Sequence, residues 1–172
     1  MPFNVSAFKT ALSQFATGVA IITARGQDGA AIGLTMSSFN SVSLEPPLIL
    51  FSVARHAYSL PAMTAARGYA VNVLDREQEH LSERFARALE NKWGAVEHTL
   101  GHAEAPLLRG ALAHLECEPY AQYDGGDHVI FVGRVLQCAS NPDGEPLVFF
   151  RSRYGSVGSQ QNYPEWPLSI HY

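Results

Sequence analysis

The chain has 172 residues, of which 47% are hydrophobic and 16% are charged, and its formal net charge is −4 with seven histidines counted as neutral. This length suits one domain with its own core. There is no cluster of lysine and arginine that would form a basic face, so nucleic acid is not an expected partner. No apolar run approaches the roughly 20 residues of a membrane span. The N-terminal stretch, with Lys9 and polar breaks, does not resemble a signal peptide, so we expect a cytoplasmic protein without membrane contact.

The predicted elements begin with a helix over residues 5–15, where Val5, Phe8, Leu12 and Phe15 recur at helical spacing. Further helices are predicted from Ser59 and after Asp75, where Gln78 completes a capping-box pattern. Apolar and β-branched runs between turn signals predict the strands. These runs span residues 19–24, 31–42, 48–53, 69–74, 111–119, 128–138 and 147–151, and residues 91–108 are predicted to be a loop. The pattern predicts a mainly β, antiparallel barrel with a few short peripheral helices.

The two cysteines, Cys117 and Cys138, lie in strand-like runs and have no CxxC spacing. We expect both to be buried thiols, neither bonded to the other nor bound to zinc.

A strand rich in hydroxyl side chains precedes the double proline Pro46-Pro47. Its hydroxyl residues are Thr35, Ser37, Ser38, Ser41 and Ser43. Hydroxyls and backbone N–H groups can bond the ring carbonyls and nitrogens of a planar ligand such as a flavin without bringing a charge. A strand with one solvated face would have the same composition, so both interpretations stay open.

Two further segments could contact a ligand. Arg55 and Ser59 flank a predicted strand-to-helix junction, where free N–H groups and a guanidinium could hold a phosphate. Alternatively, Ser59 is a plain N-cap and Arg55 a surface charge. His128 begins a strand after the predicted turn Asp124–Asp127, and there it could bond a nicotinamide carboxamide or a pyrophosphate, or act as an acid. It could equally be a half-exposed loop histidine.

Other chemistries lack their motifs. The chain contains no GxGxxG, GxxxxGK[ST], HExxH or GxSxG sequence. His98 and His102 stand four residues apart in a stretch without a helical pattern, so we expect no metal site.

Several blocks, in this order, resemble the flavin reductase family, the small reductase components of two-component flavin monooxygenases. The blocks are Thr17–Thr23, Gly33–Pro47, Tyr69–Leu74, Pro106–Leu108, Leu115–Cys117, Gly126–Val135 and Pro146–Tyr154. The resemblance covers residues 5–155. We therefore expect a domain over residues 1–158 and an extended C-terminal tail over residues 159–172, packed on its own or a neighbouring subunit.

The resemblance implies an antiparallel split β-barrel and a homodimer with each flavin site near the subunit interface. It also implies an NAD(P)H:flavin oxidoreductase, in which NADH or NADPH reduces FMN or FAD for a partner monooxygenase. By motif, the flavin would contact Gly33, Leu34, Thr35, Met36, Ser37 and Ser38, and its ribityl and phosphate end would contact Ser52, Val53, Arg55 and Ser59. His128 and Tyr154 would contact the nicotinamide nucleotide.

Two positions depart from the family pattern: Met36 at the ring contact, and His56 near the phosphate. Two other readings remain open. One is a flavin-binding protein without catalysis, such as a flavin store or redox sensor. The other is an enzyme similar to pyridoxamine-phosphate oxidases, although the phosphate site of that family is richer in arginine and lysine.

Overall fold

The structure is a computed structural model that describes residues 3–89 and 91–157. In these ranges the helices are α1 (Val5–Leu12), α2 (Leu60–Thr64) and α3 (Glu79–Ala86). The strands are β1 (Thr17–Gly18), β2 (Ala20–Arg25), β3 (Ala31–Met36), β4 (Asn40–Leu44), β5 (Pro47–Ala54), β6 (Tyr69–Val73), β7 (His98–Leu100), β8 (Pro106–Leu108), β9 (Ala113–Gly125), β10 (His128–Ser140), β11 (Leu147–Phe150) and β12 (Arg153–Ser156). None of the helices in the described part of the chain is long and apolar enough to cross a membrane.

Seven of these strands form one antiparallel sheet in the order β3-β2-β6-β9-β10-β5-β4. Strands β1, β11 and β12 form a second sheet, and β7 pairs with β8. The prediction of a mainly β protein with antiparallel sheets and few helices is confirmed. The two edges of the large sheet are β3 and β4, which follow each other in the chain, and the candidate site lies near this pair of edges.

The large sheet bends around an aromatic core. The rings of Phe51 and Phe131 are parallel with centroids 5.2 Å apart, and Tyr69 packs edge-on against both rings. Ile22 belongs to this cluster, whereas its neighbour Ile21 belongs to a second cluster on the other face of the sheet. Since successive side chains of a strand point to opposite faces, a strand covered on both faces is largely apolar.

Two buried polar residues join the sheet to the segment that the sequence predicted to be a loop. The Asn72 side chain donates to the carbonyl of Ile21 (3.0 Å) and accepts from the Leu108 N–H (2.7 Å). The Thr23 hydroxyl donates to the carbonyl of Pro106 (2.5 Å). Because buried polar groups need partners, these side chains fix β8 against β2 and β6. The prediction of a loop over residues 91–108 is therefore wrong where β7 and β8 form.

The predicted strand over residues 31–42 is divided in the structure. The chain leaves β3 at Ser37, and Phe39 packs against the first core before β4 begins on the far edge of the sheet. The run contains no glycine or proline at the break, so no strong turn signal marks this position.

The hairpin of β9 and β10 is longer than predicted. The sequence suggested that the strand ends at Pro119, but β9 continues to Gly125. The pairing register shifts so that Gly133 lies opposite Pro119 and Val132 opposite Ala121, which leaves Tyr120 as a bulge beside the proline that has no N–H to donate.

The helix predictions hold in position but not in length. The capping box of Asp75 and Gln78 is present, with both reciprocal bonds. Helix α1 ends at Leu12 rather than at residue 15, and α2 is a single short turn. The predicted tail over residues 159–172 and its boundary after residue 158 lie outside the described residues.

The two cysteines are free, as predicted, but only Cys117 is buried. Cys138 is exposed because the last part of β10 runs beyond the core. The prediction that Cys138 is buried is therefore wrong.

Burial raises the pKa of Cys117 to about 12. Because the thiolate is the reactive form, we expect this buried, protonated thiol to be unreactive in the folded protein. A colorimetric thiol reagent at pH 8 should titrate one thiol in the native protein and two after denaturation. Rapid reaction of both thiols in the native protein would contradict the described position of Cys117.

Candidate functional site

A cleft of about 550 Å³ lies beside the ends of β3 and β5. This volume is within the range of small-molecule and cofactor sites. Residues 34–38 form one wall of the cleft, and residues 52–54 form the other. Ala57, which precedes α2, and residues of the β9–β10 hairpin complete the lining. The lining residues are Leu34, Thr35, Met36, Ser37, Ser38, Ser52, Val53, Ala54, Ala57, Gly125, His128 and Ile130.

Each wall of this cleft contains backbone that is not paired with a neighbouring strand within the described residues. In the part of the chain that the structure describes, β3 pairs only with β2, so its other edge is open. Strand β4 pairs with β5 only as far as Leu50, so among the described strands the end of β5 has β10 as its one partner. Open strand edges present N–H and C=O groups to whatever lies beside them. The cleft is therefore lined by neutral hydrogen-bonding groups.

One side chain links the two walls. The Ser38 hydroxyl accepts from the Ser52 N–H at 3.0 Å and lies 3.4 Å from the Ser52 carbonyl, to which it donates. Ser38 thus takes the place of a strand partner for β5 just beyond the point where β4 stops. This bridge fixes the distance between the walls of the cleft.

Thr35 contributes to the cleft differently from the other hydroxyl residues. Its hydroxyl donates to the carbonyl of Ser82 in α3 (2.7 Å), so its hydrogen is directed at the protein and not at the cleft. The hydroxyl of Ser82, which is fully buried, bonds the hydroxyl of Tyr154 (2.8 Å). Tyr154 packs beside Phe149 in the second core and does not line the cleft.

Gly33 also serves the second core. A Cβ atom added at Gly33 would lie 2.5 Å from the ring of Phe85 and 3.1 Å from that of Trp93. The family resemblance implied that Gly33 contacts the flavin, and in the structure the groups that lie against this glycine are the protein's own aromatic rings. Gly33 does not line the cleft.

Of the residues predicted at the ribityl and phosphate end, Ser52 and Val53 line the cleft, whereas Arg55 and Ser59 lie next to it. Arg55 follows β5 directly, and its guanidinium is directed at the β9–β10 hairpin, with Nη2 2.9 Å from Asp124 Oδ1. Ser59 occupies the N-cap position of α2, and its side chain makes no capping hydrogen bond. Between them, Ala57 lines the cleft.

His128 is the titratable residue of the cleft lining. It is the first residue of β10, and its Nδ1 lies 2.7 Å from Asp127 Oδ1. The hydrogen bond from His128, followed by the charge of the ring, lowers the pKa of Asp127 below its usual value. With Nδ1 engaged in this way, Nε2 is the ring nitrogen left for a ligand.

The sequence analysis missed the small and apolar residues of the lining: Ala54, Ala57, Gly125 and Ile130. Such side chains carry no chemical signal of their own. They become visible once the pairing of β5 with β10 is known, because the register places His128 opposite Ala54.

Comparison with known proteins identifies the family. The pattern of the flavin reductase like domain matches residues 12–158 of the chain. The chain is 40% identical over 157 residues to the FMN reductase (NADH) SmoA of Agrobacterium fabrum, covering 91% of this chain and 88% of that protein. It is 36% identical over 157 residues to HsaB, the reductase subunit of a flavin-dependent monooxygenase of Rhodococcus jostii, covering 91% and 80%.

A solved structure shows the same fold. The NADH:FAD oxidoreductase SgcE6 of Streptomyces globisporus, in complex with NAD and FAD fragments, superposes with a TM-score of 0.88 at 35% identity, covering 94% of this chain and 98% of that chain. The chain belongs to the flavin reductase family. The predicted family and the predicted class of enzyme, a flavin reductase, are confirmed.

Replacing Ser38 by alanine should weaken the link between the walls. The Ser52 N–H then loses its partner, and we expect the free energy of unfolding to fall by about 0.5–1.5 kcal/mol. Denaturant unfolding measures this change. Ser37→Ala is the matched control, because Ser37 is exposed and its side chain makes no hydrogen bond to the described residues. An equal loss in both variants would contradict a bridging role for Ser38.

Proposed function

We propose that this protein is an NADH-dependent flavin reductase that moves a hydride from the reduced nicotinamide to FMN or FAD in the cleft between β3 and β5. One observation carries this proposal. In a chain of the flavin reductase family, residues 34–38 and 52–54 come together around a cleft lined by neutral hydrogen-bonding groups, with a single histidine at its edge.

The cleft suits a flavin ring. Its open strand edges offer N–H groups to the ring carbonyls and nitrogens, while Met36, Val53 and Ile130 offer apolar surface. N–H groups held in place by a rigid sheet also stabilise the negative charge that arrives with a hydride. The lining contains no lysine or arginine. Because the lining offers no cation to the flavin, we expect the cleft to bind flavin with moderate affinity, which suits a flavin that leaves after reduction.

His128 is the proposed contact for the nicotinamide nucleotide. The bound flavin supplies the chemistry, because it accepts the hydride that the nicotinamide gives up. The protein has to hold the two rings together, and no side chain has to act as acid or base. Tyr154 was predicted beside His128. Since its hydroxyl bonds Ser82, we propose that Tyr154 supports the wall of the cleft through Ser82 and Thr35.

Two features bear on partners. HsaB is named as the reductase subunit of a flavin-dependent monooxygenase, which supports a role for this protein in supplying reduced flavin to such an oxygenase. Helix α1 has no buried residue, and it carries a stripe of exposed apolar side chains: Val5, Phe8 and Leu12, with Phe15 just beyond. An exposed apolar stripe of this kind supports a homodimer, which would cover it.

The remaining parts of the proposal concern architecture and location. The seven-stranded sheet, whose two ends are bridged by Ser38, supports a split barrel. In this barrel the cleft occupies the seam, the gap between β3 and the end of β5. NADH and free flavins are metabolites of the cytoplasm, which supports a cytoplasmic location. The contact of Ser59 with the flavin phosphate stays a prediction.

The activity is tested by mixing the purified protein with NADH or NADPH and either FMN or FAD, and following the loss of reduced nicotinamide at 340 nm. We expect oxidation of NADH. The protein with His128→Ala should show a KM for NADH roughly three- to tenfold higher, the size of one lost hydrogen bond, with the Kd for FMN unchanged. His80→Ala, at an exposed histidine outside the cleft, is the control. FMN binding without NADH or NADPH oxidation would instead support a flavin store or sensor.

A further inference from the structure

Arg55 forms hydrogen bonds with the turn that joins β9 to β10. Its backbone N–H donates to the carbonyl of Asp127 at 2.9 Å. Its Nε donates to the carbonyl of Gly126 at 2.8 Å, and its Nη2 donates to Asp124 Oδ1 at 2.9 Å. One residue at the end of β5 therefore bonds three of the residues at the tip of the hairpin.

The turn itself has few other restraints. The side chains of Asp124 and Asp127 are 79% and 91% exposed, so no burial of these side chains holds the tip in place. Gly126 has a φ of +74°, a conformation that suits glycine. Its N–H donates to Asp124 Oδ1 at 2.8 Å, the same oxygen that accepts from Arg55. Asp124 thus connects the guanidinium to the backbone of the turn.

The turn ends at the residue proposed to meet the nicotinamide. Asp127 is bonded to Arg55 through its backbone carbonyl and to the ring of His128 through its carboxylate. A change in the backbone at Gly126 and Asp127 would therefore turn the His128 ring away from the cleft that it lines.

We infer that Arg55 is a positioning residue for the nicotinamide contact: it holds the Gly126–Asp127 turn, through Asp124, so that His128 faces the cleft. The inference rests on the proposed function of His128. It differs from the role that the family resemblance implied, in which the guanidinium of Arg55 binds the flavin phosphate. In the structure this guanidinium is already engaged by a carboxylate and a carbonyl.

Substitution of Asp124 separates the two roles of Arg55. If Arg55 positions the turn, Asp124→Ala and Arg55→Ala should each raise the KM for NADH roughly three- to tenfold, as loss of a hydrogen bond would. The Kd for FMN should stay within about twofold in both. The double variant should be no worse than the worse single variant, because both act through one connection. Since exposed ion pairs contribute little to global stability, both variants should remain folded.

Two controls match these changes. Glu97→Ala breaks another exposed ion pair, with Arg109, whose residues do not line the cleft, and it should leave both constants unchanged. Amide hydrogen exchange reports the turn without any assay of activity: exchange at Gly126 should be faster in both Arg55→Ala and Asp124→Ala.

The results of these experiments separate an error in the role of Arg55 from an error in the role of His128. If Arg55→Ala weakens FMN binding tenfold or more while Asp124→Ala leaves the KM for NADH unchanged, Arg55 is a phosphate ligand and the inference is wrong. Unchanged exchange at Gly126 in both variants would also overturn it. If His128→Ala itself leaves the KM unchanged, the nicotinamide role of His128 fails, and the inference that depends on it fails for that separate reason.

Discussion

The structure depends on a sheet whose two edge strands, β3 and β4, do not pair with each other within the described residues. In this seven-stranded sheet, β3 and the end of β5 have no described strand beside them on one side. Backbone N–H and C=O groups that face no partner cost free energy if they are shielded from water. Here the Ser38 hydroxyl accepts from the Ser52 N–H, and the other unpaired backbone groups lie at the cleft. The proposed flavin site is thus made from backbone hydrogen-bonding groups that the described strands do not use.

The rest of the fold keeps those edges in place. Phe51, Phe131 and Tyr69 fill the inside of the bend behind β5. On the other face, Phe85 and Trp93 press against Gly33, and Ser82 holds Thr35, so the open edge of β3 is supported by α3. A cleft between two supported edges can bind a planar ring without first ordering a loop, which lowers the cost of binding.

Much of this could be predicted from the sequence, for identifiable reasons. Alternating apolar runs and the Asp75 capping box act locally, so most of the long strands and the start of the helical segment after β6 were predicted, whereas β7, β8 and β12 were not. The family was found from several short blocks in order. In the structure the first part of the hydroxyl-rich segment, residues 34–38, lines the cleft, and its contact with a flavin is part of the proposed function.

What the sequence could not provide was long-range pairing. The packing of Phe85 against Gly33 could not be predicted, because nothing near Gly33 in the chain indicates it. The contact of Arg55 with Asp124 could not be predicted either, because it depends on the register of β5 and β10. The break at Ser37 and the bulge at Tyr120 likewise arise from the curvature of the sheet, which local patterns do not encode.

The central claim is that the flavin occupies the seam between β3 and β5. Amide hydrogen exchange of the protein with and without saturating FMN tests it most directly. Exchange should slow at residues 34–38 and 52–54, and should stay unchanged at residues 75–80 and 143–145, which contribute to a separate cleft of about 490 Å³. Protection at that second cleft, with no change at the seam, would contradict the claim.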